Sequence, residues 1–130
     1  MSYYSRQSKY NNRKVEFDGI TFDSAREAQR YQELKWMQQA GCISDLKLQV
    51  PYELIPAAFE ESTELYSRGP KKGQPKPGRC IEKACTYLAD FQYYENGKLV
   101  VEDAKGMKTE VYKIKKKLML YVHGIRIREV

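Results

Sequence analysis

The chain has 130 residues, of which 42% are hydrophobic and 31% charged, and its formal net charge is +6. This composition suits one compact domain with a hydrophobic core and excludes a wholly disordered chain. No apolar run is long enough to cross a bilayer, and the N-terminus lacks a signal-peptide pattern, so we expect a cytoplasmic protein without a membrane partner. Three cysteines, an odd number, are expected to be reduced thiols: Cys42, Cys80 and Cys85.

The basic charge lies in the C-terminal half. Residues 1–67 hold 8 Lys or Arg and 10 Asp or Glu, a balance of −2, whereas residues 68–130 hold 15 and 7, a balance of +8. A basic half of this kind predicts a partner that carries phosphate. A basic surface that only keeps the protein soluble would give the same numbers, so charge alone leaves both interpretations open.

The N-terminal half predicts an arm, a hairpin, a helix and a strand. Residues 1–12 are polar and predict a flexible arm. The alternation in KVEFDGITF, around its Asp-Gly pair, predicts a β-hairpin. Apolar residues then recur at helical spacing between a cap at Asp23 or Ser24 and a stop at Gly41. The segment ISDLKLQVPYELIP follows as an extended strand.

The C-terminal half predicts a loop, two strands, a helix and a last strand. Residues 57–83 lack periodicity and predict a long, mobile, basic loop. CTYLADFQYYENGKLVVEDAKG predicts two strands joined by a type I′ turn at its Asn-Gly pair. A helix is predicted from Thr109 to Gly124, and IRIREV closes the chain as a strand. The buried face of that helix is expected at Val111, Ile114, Leu118 and Tyr121 or Val122. The expected fold is α/β (α+β), a mixed sheet flanked by helices.

Two acids and a lysine are expected to meet where the strand pair ends. If the Asn-Gly turn has two residues, Asp103 lies opposite Asp90. Side chains alternate along a strand, so Asp103 shares a face with Lys105, and Glu102 points to the other face, toward a salt bridge or a solvated edge. Facing carboxylates repel unless a cation lies between them, which predicts a Mg²⁺ site. A local salt-bridge cluster is the alternative.

These segments resemble the PD-(D/E)xK nuclease superfamily, whose core is helix, three strands, helix, strand. The motif is YLAD followed by EDAK. More closely, KVEFDGITFDSAREAQRYQELK, ISDLKLQVPYELIP, YLADFQYYENGKLVVEDAKGMKTEVYKIKKKL and GIRIREV look like a group of small phage and prophage proteins of unknown function placed in that superfamily. The resemblance covers nearly the whole chain except the arm and the loop. It implies a single restriction-endonuclease-like domain over residues 13–130, in the order αβββαβ, with an N-terminal hairpin.

The resemblance also implies a metal site on the two strands. It implies Asp90 and Asp103 as metal ligands, the backbone carbonyl of Ala104 as a further ligand, and Lys105 as the catalytic lysine. The implied cofactor is Mg²⁺ or Mn²⁺. Ala89 replaces the proline of the superfamily's name, a departure that removes no chemistry.

Two more residues are candidates beside this set. In many relatives a helix glutamate joins the site, and Glu27 matches that place, so we expect Glu27 to be a further metal ligand. The alternative is a capping box with Ser24, in which the Glu27 carboxylate would accept a hydrogen bond from the Ser24 backbone N–H. Gln49, on the first core strand, is a candidate to support the ligands, or equally a strand glutamine with its hydrogen bonds satisfied.

Lysines on the second helix and in the loop are candidates for DNA contact. Such contacts give salt-sensitive affinity that does not depend on sequence, and a merely solvated face is the alternative. The candidates are Lys108, Lys113, Lys116, Lys117, Lys71 and Lys72, with Lys76 beside them. The expected function is a metal-dependent DNA endonuclease of phage replication or recombination, acting on duplex or branched DNA. A homodimer is expected by analogy with junction-cutting enzymes. The alternatives are a nuclease-fold module that binds DNA without cutting it, and an RNA nuclease.

Overall fold

A computed structural model describes residues 13–130, so the arm predicted over residues 1–12 lies outside the described residues. The elements in chain order are β1 (Val15–Phe17), β2 (Ile20–Phe22), α1 (Ala25–Gln39), β3 (Ser44–Ile55), β4 (Ala58–Phe59), β5 (Cys80–Glu82), β6 (Cys85–Glu95), β7 (Lys98–Asp103), α2 (Glu110–His123) and β8 (Arg128–Glu129). The central sheet has the order β3-β6-β7-β8. Its first three strands are antiparallel and β8 is parallel to β7, which confirms the expected mixed sheet.

Local sequence sets the ends of the helices and hairpins. Ser24 caps α1, and Thr109 caps α2, which ends at Gly124 in the left-handed conformation. Both hairpin turns place two consecutive residues at positive φ, as type I′ turns require. These residues are Asp18 (57°), Gly19 (75°), Asn96 (52°) and Gly97 (74°). The predicted hairpins and helix caps are therefore confirmed, with Ser24 rather than Asp23 as the cap.

The core consists of two clusters on opposite faces of the sheet. Val100 belongs to the cluster that contains α1, and Val101 belongs to the cluster that contains α2. Because consecutive strand residues point to opposite faces, the two helices cover opposite faces. The α1 cluster comprises Phe22, Ala28, Tyr31, Leu34, Ile43, Phe91, Tyr93 and Val100. The α2 cluster comprises Leu54, Tyr87, Ala89, Val101, Tyr112, Met119 and Ile127.

Along both β3 and β6, the side chains switch from one face of the sheet to the other at neighbouring positions. On β3, Leu48 packs with the α1 cluster and Val50 packs with the α2 cluster, although alternate residues normally share a face. Gln49, between them, has a φ of 51°, in the left-handed region. On β6 the same exchange separates Ala89 from Phe91, so it falls at Asp90. Gln49 and Asp90, two predicted site residues, thus lie where the side chains of these strands switch faces.

The predicted buried face of α2 is wrong except in part at Leu118, which is half-buried. Val111, Ile114, Tyr121 and Val122 are exposed. The residues that face the core are Tyr112 and Met119, seven positions apart. Lysines occupy the positions between them: Lys115 Nζ donates to the Thr86 carbonyl at 2.9 Å, and Lys116 Nζ contacts Glu129 at 2.5 Å. Their methylene stems pack inward while their charges reach the edge, so the inward face does not read as apolar in the sequence.

Residues 57–83 contain backbone pairing that the sequence did not predict. Ala58 pairs with Glu82 and Phe59 with Cys80, and an isolated bridge joins Leu65 to Pro75. The segment is therefore a two-limbed arm that leaves the end of β3 and returns at the start of β6. Its mobility stays a prediction. The last strand is also shorter than predicted, since β8 spans only Arg128–Glu129.

Candidate active site

The β6–β7 register brings the predicted acids together. Pairing runs from Glu95 opposite Lys98 to Phe91 opposite Glu102, as the two-residue turn predicts. One step further along the strands come Asp90 and Asp103. The Ala104 backbone N–H donates to Asp90 Oδ2 across this gap at 2.9 Å, so Asp90 lies against the end of β7.

Asp103 is fully buried and holds one oxygen without a hydrogen-bond donor. Its Oδ2 accepts a hydrogen bond from the Tyr87 hydroxyl. Its Oδ1 lies 3.4 Å from Lys105 Nζ, within ion-pair distance, but no group donates a hydrogen bond to it. Leaving a buried carboxylate oxygen without a donor is costly, so such an atom is a natural seat for a cation. Tyr87 therefore orients the carboxylate, a role its position in an apolar strand did not reveal.

The environment of Asp90 opposes its ionisation. Burial, followed by the charges of Asp103 and Glu27, raises the pKa of the Asp90 carboxyl to about 7, and the Ala104 N–H opposes this shift only in part. A divalent cation beside these groups would reverse the effect, because it favours the charged form of each carboxyl.

Glu27 lies in the first turn of α1 and faces the site. Its backbone N–H donates to the Ser24 hydroxyl at 3.2 Å, as in a capping box. Its side chain, however, accepts a hydrogen bond from Gln49 Nε2 at 3.0 Å. Burial, then the charges of Asp23 and Asp103, raises the pKa of the Glu27 carboxyl, while Lys105 lowers it. Gln49 thus holds Glu27 toward the cavity, in the supporting place proposed for it.

A cavity of about 670 Å³ joins these residues. Glu27, Asp90 and Lys105 line it, together with Ala104. The Lys105 ammonium lies over the Tyr112 ring, 5.1 Å from its centroid, which holds the amine at the cavity wall. The structure therefore brings all the predicted catalytic residues to one place, with Asp103 directly behind the wall.

Two arginines at this cavity were not predicted. Arg13 and Arg26 both line it. Arg26 donates to the carbonyl oxygens of Lys105 at 3.5 Å and Val130 at 3.3 Å. An arginine in the first turn of a helix opposes the helix dipole, and this is the one sequence signal that marked Arg26. Guanidinium groups at a cavity suit a phosphate ligand.

The residues present fit a hard divalent cation. Within residues 13–130, no three His, Cys, Asp or Glu side chains are grouped so as to hold a metal ion. Two carboxylates with a backbone carbonyl and water are a sufficient set for Mg²⁺. Asp90 and Asp103 would supply the two carboxylates, and the donor-free Asp103 Oδ1 is the observation that favours a cation there. Glu27, held by Gln49, lines the same cavity, and its role as a metal ligand stays a prediction.

Glu102 belongs to the opposite face and has a structural role. It is fully buried, and its two oxygens accept hydrogen bonds from Arg30 Nε at 2.7 Å and Arg30 Nη2 at 2.9 Å. The Tyr93 hydroxyl donates to it as well. The salt bridge predicted for Glu102 is confirmed, whereas the solvated edge is wrong.

The lysines proposed for DNA contact fall into two groups. On the α2 side, Lys108 and Lys116 both pair with Glu129, at 3.3 and 2.5 Å, and Lys113 pairs with Glu110 at 3.1 Å. Lys113, Lys116 and Lys117 line a separate groove of about 440 Å³, whose other walls include Ile114, Leu120 and Ile127. Lys71 and Lys72 lie in the arm and are exposed. The cysteines are unpaired thiols, with Cys42 and Cys80 exposed and Cys85 half-buried.

These features define the class of the protein as an α+β domain with a central mixed sheet, two helices and a carboxylate–lysine cluster beside a cavity. The chain belongs to the family described as Protein of unknown function (DUF1064), whose family model matches residues 7–128. No curated protein and no solved structure matches the chain. Among residues 13–130, no helix is long and apolar enough to cross a membrane.

Proposed function

We propose that this protein is a metal-dependent DNA endonuclease of the PD-(D/E)xK type, with a restriction-endonuclease-like core. The observation that carries the proposal is that Asp90 and Lys105 line one cavity, and that a buried Asp103 oxygen without a donor lies 3.4 Å from Lys105 Nζ. The element order α1, β3, β6, β7, α2, β8 supports it, because this is the αβββαβ order that the resemblance implies.

Asp90, Asp103 and the Ala104 carbonyl would hold the metal ion, and each is held in place by the fold. Tyr87 fixes one oxygen of Asp103, and the Ala104 N–H fixes one oxygen of Asp90. When bound there, Mg²⁺ would polarise a phosphoryl oxygen and lower the pKa of a water molecule. Glu27 would accept a hydrogen bond from water at the cavity wall, with Gln49 keeping its carboxylate in place.

Lys105 and the two arginines supply the positive charge at this site. The Lys105 ammonium, about one-third exposed, can reach both the cavity and Asp103. In hydrolysis, the oxygen of water forms a bond to phosphorus, the bond from phosphorus to the leaving oxygen breaks, and that oxygen takes up a proton. Lys105 would stabilise the negative charge that builds on the phosphoryl oxygens, while Arg13 and Arg26 would orient the phosphate.

Several finer parts of the proposal rest on the resemblance. They are a bacterial cytoplasmic location with phage or prophage origin, a branched DNA substrate and a homodimer. An assay with single-stranded, duplex and four-way-junction DNA addresses the substrate directly. RNA belongs in the same series, since a phosphodiester site of this kind does not by itself distinguish the two polymers.

The test compares neighbouring acids on opposite faces of β7. We expect Asp103→Asn to lower the Mg²⁺-dependent cleavage rate by roughly 100-fold or more, because a metal contributes several kcal/mol to such a step. Glu102→Gln is the matched control, and its cleavage rate per folded molecule should stay close to that of the unmodified protein. It should be less stable, by up to about 3 kcal/mol, because the half-buried Arg30 guanidinium then keeps only Glu33 as a charged partner.

The measurement is cleavage of labelled substrates in Mg²⁺ or Mn²⁺, normalised to the folded fraction from circular dichroism. Binding without metal-dependent cleavage on every substrate would favour the module that binds DNA without cutting it. Equal cleavage by Asp103→Asn would show that the site lies elsewhere. Cleavage of RNA alone would favour the RNA nuclease.

A further inference from the structure

The arm over residues 57–83 is a built structure with separated charge. Beyond the β4–β5 pair, the Tyr66 and Lys76 backbone N–H groups donate to Gln74 and Glu64 carbonyls at 3.0 and 2.9 Å. At Gly78 the two limbs meet so closely that a Cβ would lie 2.2 Å from the Glu60 carbonyl oxygen. Only glycine permits this approach. The arm is thus held together by its own backbone hydrogen bonds.

The outer part of the arm, residues 65–79, is here called the basic tip. It contains five basic residues and no acidic one, whereas all four acidic residues of the arm lie nearer the sheet. Every basic side chain of the tip is exposed, and within residues 13–130 none forms an ion pair. These residues are Arg68, Lys71, Lys72, Lys76 and Arg79.

The lysines of α2 are in a different electrostatic state. Lys108, just before α2, and Lys116 share the carboxylate of Glu129, and Lys113 pairs with Glu110, whereas the exposed Lys117 forms no ion pair within residues 13–130. Lys113 and Lys116 line the 440 Å³ groove with Lys117 and Arg126, between apolar walls and Glu110. Binding a phosphate at Lys108, Lys113 or Lys116 would compete with existing ion pairs, whereas the tip has no such pairs to break.

We infer that the basic tip of the arm, rather than α2, is the principal surface on which this protein holds the phosphodiester backbone of its nucleic-acid substrate. The inference rests on the proposed function, because it names the element that grips the substrate of that site. The tip acts mainly through phosphate contacts, because residues 65–79 contain no helix or strand that could enter a groove.

The geometry and composition of the arm favour a nucleic acid over a lipid surface. Leu65 and Tyr66 are the bulky apolar or aromatic residues of the tip, and only Leu65 is exposed, whereas segments that bind membranes combine basic residues with a larger apolar face. The arm re-enters the sheet at Cys85, five residues before Asp90 on β6. At about 3.3 Å per residue this is about 17 Å, so the base of the arm lies close enough to the site for one nucleic-acid molecule to span both.

The experiment measures binding without cleavage. Fluorescence anisotropy of labelled duplex DNA, junction DNA and RNA is recorded in EDTA between about 50 and 200 mM salt. We expect Lys71→Gln/Lys72→Gln to reduce the slope of log affinity against log salt by about 1.8 and to weaken duplex binding at least tenfold at about 0.1 M salt. Lys71→Arg/Lys72→Arg should restore both, because it keeps the charges.

The matched control removes two exposed lysines elsewhere on the sheet, Lys47 and Lys98, by substitution with Gln. It should leave the slope within about 0.3 of the original, since these residues lie outside the arm and the cavity. Equal slopes for the two double variants would overturn the inference, as would binding to anionic vesicles alone or to no nucleic acid. Tip-dependent binding without any metal-dependent cleavage would support the arm and overturn the proposed nuclease.

Discussion

Three acids within fourteen positions of the hairpin have different roles because their partners differ. Glu102 is buried against a guanidinium that satisfies both its oxygens, so it stabilises the fold. Asp103, its neighbour, has one oxygen held by Tyr87 and one without a donor. Asp90 faces the charge of Asp103 in a buried place that raises its pKa to about 7. Asp103 and Asp90 therefore lower the stability of the fold, as expected of residues kept for binding or chemistry.

Replacement of Asp90 tests this interpretation through pH. Because the folded-state pKa of about 7 lies above the ordinary value of 3.8, the native state holds the extra proton between these values, and its stability falls as pH rises from about 4 to 7. We expect Asp90→Asn to be more stable than the unmodified protein by roughly 2–4 kcal/mol at pH 8 without divalent metal, and about equal to it at pH 4.

Urea unfolding at the two pH values measures the difference. Asn can still accept the hydrogen bond from the Ala104 N–H, so the substitution removes charge and little else. The control is Asp45→Asn, at an exposed position on β3, which should show little dependence on pH. A loss of stability for Asp90→Asn at pH 8 would mean that the Asp90 carboxylate is stabilising, contrary to the repulsion inferred here.

At the scale of elements, helix α2 shows how a lysine-rich face can be the buried one. Lys115 and Lys116 direct their charged ends to Thr86 and Glu129 from the turn between Tyr112 and Met119. The more apolar positions therefore face outward, and Tyr121 is 87% exposed. Amphipathic spacing identified the helix correctly but not its orientation, because it treats the whole lysine side chain as polar.

Two substitutions on α2 distinguish the observed face from the predicted one. Met119→Ala should cost roughly 2–5 kcal/mol of unfolding free energy, because Met119 is fully buried and a cavity would remain. Tyr121→Ser should change the unfolding free energy by no more than about 0.5 kcal/mol, because the side chain is exposed. Urea titration of both variants at one pH provides the comparison. A larger loss of unfolding free energy for Tyr121→Ser than for Met119→Ala would support the buried face predicted from spacing.

The other elements also differ in whether nearby or distant residues determine them. The two type I′ turns and the caps Ser24 and Thr109 were predictable, because each depends on residues within four positions. The β6–β7 register followed from the Asn-Gly turn. The arm over residues 57–83 was not predictable. Its limbs are joined by backbone hydrogen bonds across Gly-rich and Pro-rich sequence with no periodic side chains. No local sequence signal predicted the left-handed conformation of Gln49, at which the side chains of β3 switch faces.

For the molecule as a whole, the site predicts that divalent metal and folding are linked. Mg²⁺ at ten times its dissociation constant should stabilise the folded protein by about 1.4 kcal/mol, seen as a rise in Tm. Because protons compete for Asp90, whose pKa is about 7, the rise should be larger at pH 8 than at pH 6. Differential scanning fluorimetry with and without Mg²⁺ at constant ionic strength measures it.

The same scan separates specific binding from a general effect of salt. Asp103→Asn should lose the rise in Tm, while Glu102→Gln, although less stable, should keep it. A rise of equal size in Asp103→Asn would place the cation elsewhere. This readout does not depend on any substrate, so it tests the metal site even if the preferred nucleic acid is not among those assayed.

The sequence by itself determined the two hairpins, the first core strand, the helices, their caps and the facing of Asp90 and Asp103, because alternation and a two-residue turn are local rules. Tertiary structure alone decided the rest: the exchange of faces at Gln49 and Asp90, the support of Glu27 by Gln49, and the ion pairs that occupy the lysines of α2. These contacts join residues tens of positions apart. Their energies depend on burial and on which charges already have partners, and both exist only once the chain has folded.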